Sequence, residues 1–250
     1  YAKQPHNSPS VLFNGMINAI IPYTIKGVIW YQGEGNAGRY HNYTKLMNGL
    51  IKNWRDEWGL GDFPFYFVQL APNGSLGQGN GTSQAFLREA QLKTMLSVKN
   101  TGMAVTLDIG STITNHPPEK LLIGKRLAYW ALAKNYGFDS LPYSGPVYDS
   151  FDIKNNKVYV NFKFALNGVT SYGKPLSGFE IAGKDKIFYS ADASIDPHYS
   201  ARENRSVLTL SNKNVPNPLY IRYGWKNYIE GTLYNVEGLP ASSFRSYNFD

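Results

Sequence analysis

Gly27-Val28-Ile29-Trp30-Tyr31-Gln32-Gly33-Glu34-Gly35-Asn36 is a short apolar run that stops abruptly in glycines and three hydrogen-bonding side chains. A run of large apolar residues without polar alternation reads as a strand buried on both faces, as in a parallel sheet covered by helices. In such sheets ligands bind in the crevice beyond the carboxyl ends of the strands. Gln32, Glu34 and Asn36 fall there. The glycines between them allow tight turns and let a ligand approach main-chain N–H groups.

Working outward, the pattern repeats twice. Residues 1–22 read as a turn-rich loop leading to a short helix, and residues 26–31 as the first strand, followed by a loop over 32–38. From Arg39 the side chains Tyr43, Leu46, Met47, Leu50, Ile51 and Trp54 recur at helical spacing, and Gly59 stands past the end as a cap. Residues 64–70 form a second apolar strand, which opens into a loop over 71–81, rich in glycine and asparagine and expected to be mobile. Thr82 or Ser83 can cap a helix on which Leu87, Ala90, Met95 and Val98 share a face. A third strand over 103–107 leads into a loop over 108–116. Pro117 and Pro118 suit the first turn of a helix that runs to Tyr136 and stops at Gly137. Strand and helix alternating in this way predict a parallel sheet with helices on both faces, and right-handed crossovers put all three strand-to-helix loops on one rim.

After Leu141-Pro142 the texture changes to short runs at 157–162, 176–182, 186–188, 207–210 and 219–223, separated by turns. These predict an antiparallel β-sandwich. The expected division is therefore 1–143, α/β, and 144–250, all β.

Composition limits the possible functions. At 250 residues the chain is long enough for a substantial core, and its 19 Tyr, 13 Phe and 5 Trp carry too much apolar surface for a disordered chain. The net charge of +7 is scattered, with 13 basic and 8 acidic side chains up to Tyr143 and 12 and 10 after it. No basic stripe or nucleic-acid motif emerges, so no nucleic-acid partner is expected. The absence of cysteine excludes disulfides and thiolate metal sites. No metal, no cofactor and no membrane-spanning run is expected.

Of the four histidines only His116 lies on the expected rim. It stands at a strand's carboxyl end before a proline-started helix, where an imidazole can serve as general base toward a hydroxyl. Gln32 and Asn36 are candidate donors to a developing oxyanion. Glu34 is open to three readings: binding sugar hydroxyls, buttressing the loop, or pairing with Arg39.

The segments Phe13-Asn14-Gly15-Met16-Ile17, Ile25 to Glu34, Trp54 to Gly59, Gly61 to Phe65, Gly124 to Ala128 and Gly238 to Ala241 together resemble the sialate O-acetylesterase family of SGNH hydrolases. The resemblance implies a three-layer parallel-sheet fold of SGNH, flavodoxin-like type and a secreted or periplasmic location. It implies hydrolysis of O-acetyl esters on sialic acid or a related sugar, with His116 matching the family's catalytic histidine. The family's nucleophilic serine lies in a Gly-Gln-Ser-Asn-like block upstream of the Asn-Gly-Met segment, and this sequence holds no such block. A segment preceding the chain is therefore the expected source of the serine; Ser111, the nearest rim serine, sits in no nucleophile motif.

A second departure concerns the triad acid. Relatives carry aspartate two residues before the histidine, where this chain has Thr114, and Ile113 stands at the spacing of three. Asp108 can reach only if the loop folds over, which leaves a backbone carbonyl or Asn115 to orient the ring. Asn115, Glu34 and Arg39 are the expected substrate-binding side chains. The rival readings are a carbohydrate-binding protein without turnover, and a glycosidase using Glu34 and Asp108 as paired carboxylates.

Overall fold

The computed structural model describes residues 8–75, 79–196 and 206–249; His6 and His198 lie outside them. Three strands, β1 (Val28–Trp30), β2 (Phe65–Val68) and β3 (Thr101–Ala104), form a parallel sheet in the order β1-β2-β3. Trp30 stands opposite Phe67, and Phe67 opposite Met103. Between and after the strands come α1 (Tyr43–Trp58), α2 (Ser83–Ser97) and α3 (Lys120–Asn135).

Side chains alternate across a strand, so each face of the sheet has its own partners. Trp30 and Phe65 meet Trp54 of α1, with ring centroids 5.9 and 6.1 Å apart. On the opposite face Tyr66 lies 6.0 Å from Trp130 of α3. Gly102 sits beneath the same indole, where an added Cβ would come within 2.3 Å of the ring. No larger residue can stand there with α3 in place. β2 is buried on both faces as its apolar run predicts, but β1 is not: it lies at the sheet edge and Ile29 is 71 % exposed.

Several element boundaries differ from expectation. Residues 34–42, expected to be loop and then helix, wind into 3-10 turns broken at Arg39, and α1 begins only at Tyr43. Gly35 and Gly38 in that stretch weaken α-helix formation. The helix ends as expected: Gly59 takes φ 62° and donates its N–H to the Arg55 carbonyl at 3.1 Å. α3 starts at Lys120, since Pro117 and Pro118 precede it instead of forming its first turn. The third strand is Thr101–Ala104, earlier than the expected 103–107, because Val105 to Leu107 already leave the ladder to pack inward.

The antiparallel part contains two four-stranded sheets, ordered β4-β5-β10-β9 and β13-β11-β7-β8, and a two-stranded ribbon β12-β6. Their ranges are β4 Val147–Lys154, β5 Lys157–Lys163, β6 Val169–Thr170, β7 Phe179–Ala182, β8 Tyr189–Ser190, β9 Asp192–Asp196, β10 Val207–Ser211, β11 Tyr220–Tyr223, β12 Tyr234–Asn235 and β13 Phe244–Arg245. Five were not anticipated. β6, β12 and β13 are only two residues long, and β4 and β9 carry polar, largely outward faces and so show no apolar run. The strand expected at 186–188 falls instead on Tyr189–Ser190. Phe244 joins the two larger sheets by stacking on Tyr148 at 4.8 Å and meeting Phe162 edge-on at 5.8 Å.

Helix α2 ties these sheets to the parallel one. Arg88 is fully buried and donates to Ser243 Oγ at 2.9 Å and to the carbonyls of Gly224 and Lys226 at 2.8 and 2.5 Å. Burial pulls its guanidinium down to about 9, so it stays charged at neutral pH. The next residue, Glu89, accepts two hydrogen bonds from Arg245 of β13, at 2.8 and 3.0 Å. Replacing Arg88 with methionine would leave the part-buried Lys226 carbonyl and the Ser243 oxygen without this donor, and the Gly224 carbonyl with only the Ser243 hydroxyl at 3.2 Å. An unsatisfied buried group costs about 1–3 kcal/mol, and Arg88→Met is expected to lower the unfolding free energy by about 3 kcal/mol. Urea titration followed by tryptophan fluorescence measures it; a loss below about 0.5 kcal/mol would show that water replaces the guanidinium.

Candidate active site

The three loops at the carboxyl ends of β1, β2 and β3 meet. Ser111 donates its N–H to the Pro72 carbonyl at 3.0 Å, and Gly74 donates to the Ser111 carbonyl at 2.9 Å, joining the second and third loops as a short ladder. Gly110 makes this approach possible, because a Cβ there would lie 2.3 Å from the Pro72 oxygen. Asn73, Gly79 and Gly81 are held in turn by backbone hydrogen bonds to Asn227 and Tyr228. The described parts of the loop expected to be mobile are therefore pinned; residues 76–78 lie outside the description.

The first loop is anchored from below. Gln91 of α2 accepts the Leu70 N–H at 2.7 Å and donates to the carbonyls of Val68 and Gln32 at 3.2 and 3.3 Å. Tyr43 donates toward the same Gln32 carbonyl at 3.1 Å. The Gln32 side chain donates to Asn36 Oδ1 at 2.7 Å. In this arrangement the Asn36 oxygen is occupied by Gln32, which leaves the Asn36 NH₂ and the second Gln32 N–H without a protein acceptor among the described residues. Each side chain thus retains a donor for a ligand oxygen.

His116, Asn115, Glu34, Tyr31 and Lys120 line one open pocket of about 170 Å³. The sequence-predicted base, one of its flanking amides and the first-loop carboxylate come together there. Gln32 and Asn36 adjoin this lining through Tyr31 and Glu34 without belonging to it. Arg39 does not belong either, and it forms no ion pair with Glu34 among the described residues. The chain breaks from helical geometry at Arg39, and of the three readings of Glu34 the pairing with Arg39 is not the one seen. Lys120 was missed by sequence reading, although its place at the start of α3, four residues past His116, puts it on the rim. Its ammonium sits 4.7 Å over the Tyr31 ring. The Tyr31 hydroxyl is pushed up to about 12 by burial, with the Glu34 charge adding to the effect, so it remains a neutral donor.

Thr114 and Asp108 have other tasks. Thr114 Oγ1 accepts the main-chain N–H of His116 at 3.0 Å, and Ser111 Oγ accepts those of Ile113 and Thr114, so both hydroxyls shape the turn. Asp108 forms a double hydrogen bond with Arg126 at 2.7 and 2.6 Å, both side chains buried, while Arg126 also holds the Val105 carbonyl. Asp108 therefore neither orients His116 nor pairs with Glu34 across a cleft. This commitment removes the support for a paired-carboxylate glycosidase.

Residues 6–132 match the family model described as carbohydrate esterase, sialic acid-specific acetylesterase. The chain belongs to that family. It is 33% identical to the sialate O-acetylesterases of Mus musculus and Homo sapiens over 177 and 178 residues, 62% of this chain and 32% and 33% of theirs. A crystal structure described as a novel carbohydrate acetylesterase from Xanthomonas citri superposes with a TM-score of 0.85 at 36% identity, covering 96% of this chain and 55% of its own. The chain thus spans about a third of the curated relatives and about half of that solved structure.

Removing the Asp108 carboxylate leaves Arg126 buried and unpaired, which typically costs 3–5 kcal/mol. Asp108→Ala is expected to destabilise the protein by about 3 kcal/mol, read by urea unfolding. A stability unchanged within about 0.5 kcal/mol would show that the pair is not the anchor of the third loop.

Proposed function

We propose that this chain carries the base and oxyanion side of a carbohydrate O-acetylesterase, whose nucleophilic serine comes from a segment upstream. The observation that carries the reading is the shared pocket of His116, Asn115 and Glu34 beside the Gln32–Asn36 amide pair. Within the same reading belong the three-layer SGNH arrangement, the division at 143/144 into an α/β part and a β-sandwich, and a secreted or periplasmic location without a membrane segment. The substrate is the O-acetyl ester of a sialic acid or related sugar.

The reaction follows from what each group can do. The serine oxygen attacks the acetyl carbonyl carbon while His116 takes its proton. The carbonyl oxygen gains negative charge, which the free N–H groups of Gln32 and Asn36 stabilise together with main-chain N–H groups. Collapse expels the sugar oxygen, which receives the proton held by His116. Water then attacks the acetyl-serine by the same route and releases acetate. Asn115 and Glu34 contact the sugar, and Arg39 is not among the residues that line their pocket.

Acetate release from O-acetylated sialic acid by the polypeptide that includes the upstream segment tests this, together with a serine-directed phosphonate. Gln32→Ala is expected to lower kcat about 100-fold with little change in KM, since an oxyanion donor acts in the transition state. His116→Ala should abolish turnover. The present chain alone should release no more acetate than its His116→Ala variant. Turnover by this chain that depends on His116, with the label on Ser111, would overturn the upstream-serine reading.

Thr114→Asp restores the family's carboxylate. Its side-chain oxygen can accept the His116 N–H as Thr114 does, so the turn should survive. Turnover is expected to stay equal or to rise up to about 10-fold, because a carboxylate stabilises the imidazolium formed as the proton moves. A large loss in the folded variant would show that the threonine itself serves the reaction.

A further inference from the structure

A pocket of about 240 Å³, unused by the candidate active site, lies where the segment 140–144 after α3 faces the turn that follows β5 and the turn that follows β12. It stands apart from the catalytic rim. Tyr143, in its wall, meets Trp130 at 4.6 Å and the Lys134 ammonium at 4.1 Å. Those two residues stand ten and fourteen positions along α3 from Lys120, or about 15–21 Å at the helical rise.

One buried amide builds the pocket. Asn235 donates to the carbonyls of Ser144 and Phe164 at 3.1 and 3.2 Å and accepts the Leu239 N–H at 2.8 Å, so a single side chain holds all three walls. Phe164 takes φ 59°. A bulky residue enters that left-handed region only where its surroundings hold it there, and such outliers gather at ligand sites. Tyr143, Phe164 and Leu166 give the lining its apolar surface, and Leu166 is 85 % exposed. Beside it the Asn167 amide donates to one oxygen of Glu237 at 2.7 Å. Neither side chain has another hydrogen-bond partner among the described residues, which leaves the second Glu237 oxygen, the Asn167 oxygen and one Asn167 N–H for a ligand.

Apolar and aromatic walls with a few convergent polar groups are the composition of a small-molecule site. The volume falls just below the roughly 300–1,000 Å³ of sites for drug-sized ligands, which suits one sugar ring. Free acceptor oxygens match a ligand rich in hydroxyl hydrogens. Glu237 is the one charged side chain in the lining, so an anionic ligand meets a like charge there. We propose that this pocket binds a neutral pyranose residue, with its C–H surface against Tyr143, Phe164 and Leu166 and its hydroxyls on Glu237 and Asn167. It is a second sugar site, separate from the one beside His116, and it does not rest on the esterase reading.

Saturation-transfer NMR and calorimetric titration test it. The probes are the methyl glycosides of glucose, galactose, mannose and xylose, with N-acetylneuraminic acid as the acidic comparison. At least one neutral glycoside is expected to bind with Kd near 1 mM, to order of magnitude about 4 kcal/mol, and at least about 10-fold more tightly than the acid. Tyr143→Ala would disturb the packing on Trp130, so the informative variants are Asn167→Ala and Glu237→Ala, both at exposed turn positions. Each should fold, and Glu237→Ala should weaken the binding at least about 10-fold, as loss of a hydrogen bond to a charged group does. Gln32→Ala should leave the binding unchanged. Binding of none of the neutral glycosides would overturn the proposal, as would binding that survives both pocket variants. Binding lost in Gln32→Ala but kept in Glu237→Ala would overturn it too, by placing the sugar in the candidate active site. Equal affinity for N-acetylneuraminic acid would overturn the assignment to a neutral sugar.

Discussion

A guanidinium sealed in the interior, held by main-chain carbonyls and a serine instead of a carboxylate, is the constraint on which the rest of this structure depends. Arg88 must keep its partners from the segment 224–226 and from Ser243, because an unpaired buried charge is among the costliest defects a fold can carry. The antiparallel sheets are thereby placed with respect to α2. Three residues on, nearly one helical turn, Gln91 grips the end of β2 and the Gln32 carbonyl. One helix therefore links the position of the antiparallel sheets to the position of the candidate oxyanion loop. Arg55 of α1 plays a lesser part at the far end, holding the carbonyls of Phe63, Lys99 and Asn100 where β2 and β3 begin.

The sequence reading succeeded where apolar periodicity meets a steric stop. α1 shows both, with Met47, Ile51 and Trp58 on its buried side and Gly59 in the left-handed region at its end. It was weakest where burial is polar. α2 buries Gln84, Arg88, Gln91 and Thr94 beside its apolar residues, and no pattern of hydrophobicity announces an arginine whose partners lie more than a hundred residues away. β4 and β9 escaped for a related reason: each has a mostly outward or polar face, and strand pairing, which is non-local, decides them.

The site was legible in part. The rim argument placed the first and third loops together from topology alone, and the pocket shared by Glu34, Asn115 and His116 agrees with it. The tasks of Asp108 and Thr114 were not legible. Asp108 was expected to reach His116 only if the loop folded over; it turns inward to Arg126, eighteen residues along, where a fork of two parallel hydrogen bonds between buried side chains outweighs one made across an open loop. Belonging to an esterase family did not decide these roles; the hydrogen bonds did.

The ladder between residues 72–74 and Gly110-Ser111 has a consequence for how such a protein can diversify. Two loops that share main-chain hydrogen bonds and a contact too close for any Cβ cannot change length independently: an inserted residue in either would break the other's register. Variation in what the pocket accepts is then confined to side chains carried on an invariant frame, at outward positions such as Ile113, His116 and Lys120 and along the 3-10 turns that follow Glu34. The frame behaves as a fixed socket, and new specificities would arise by refitting its lining.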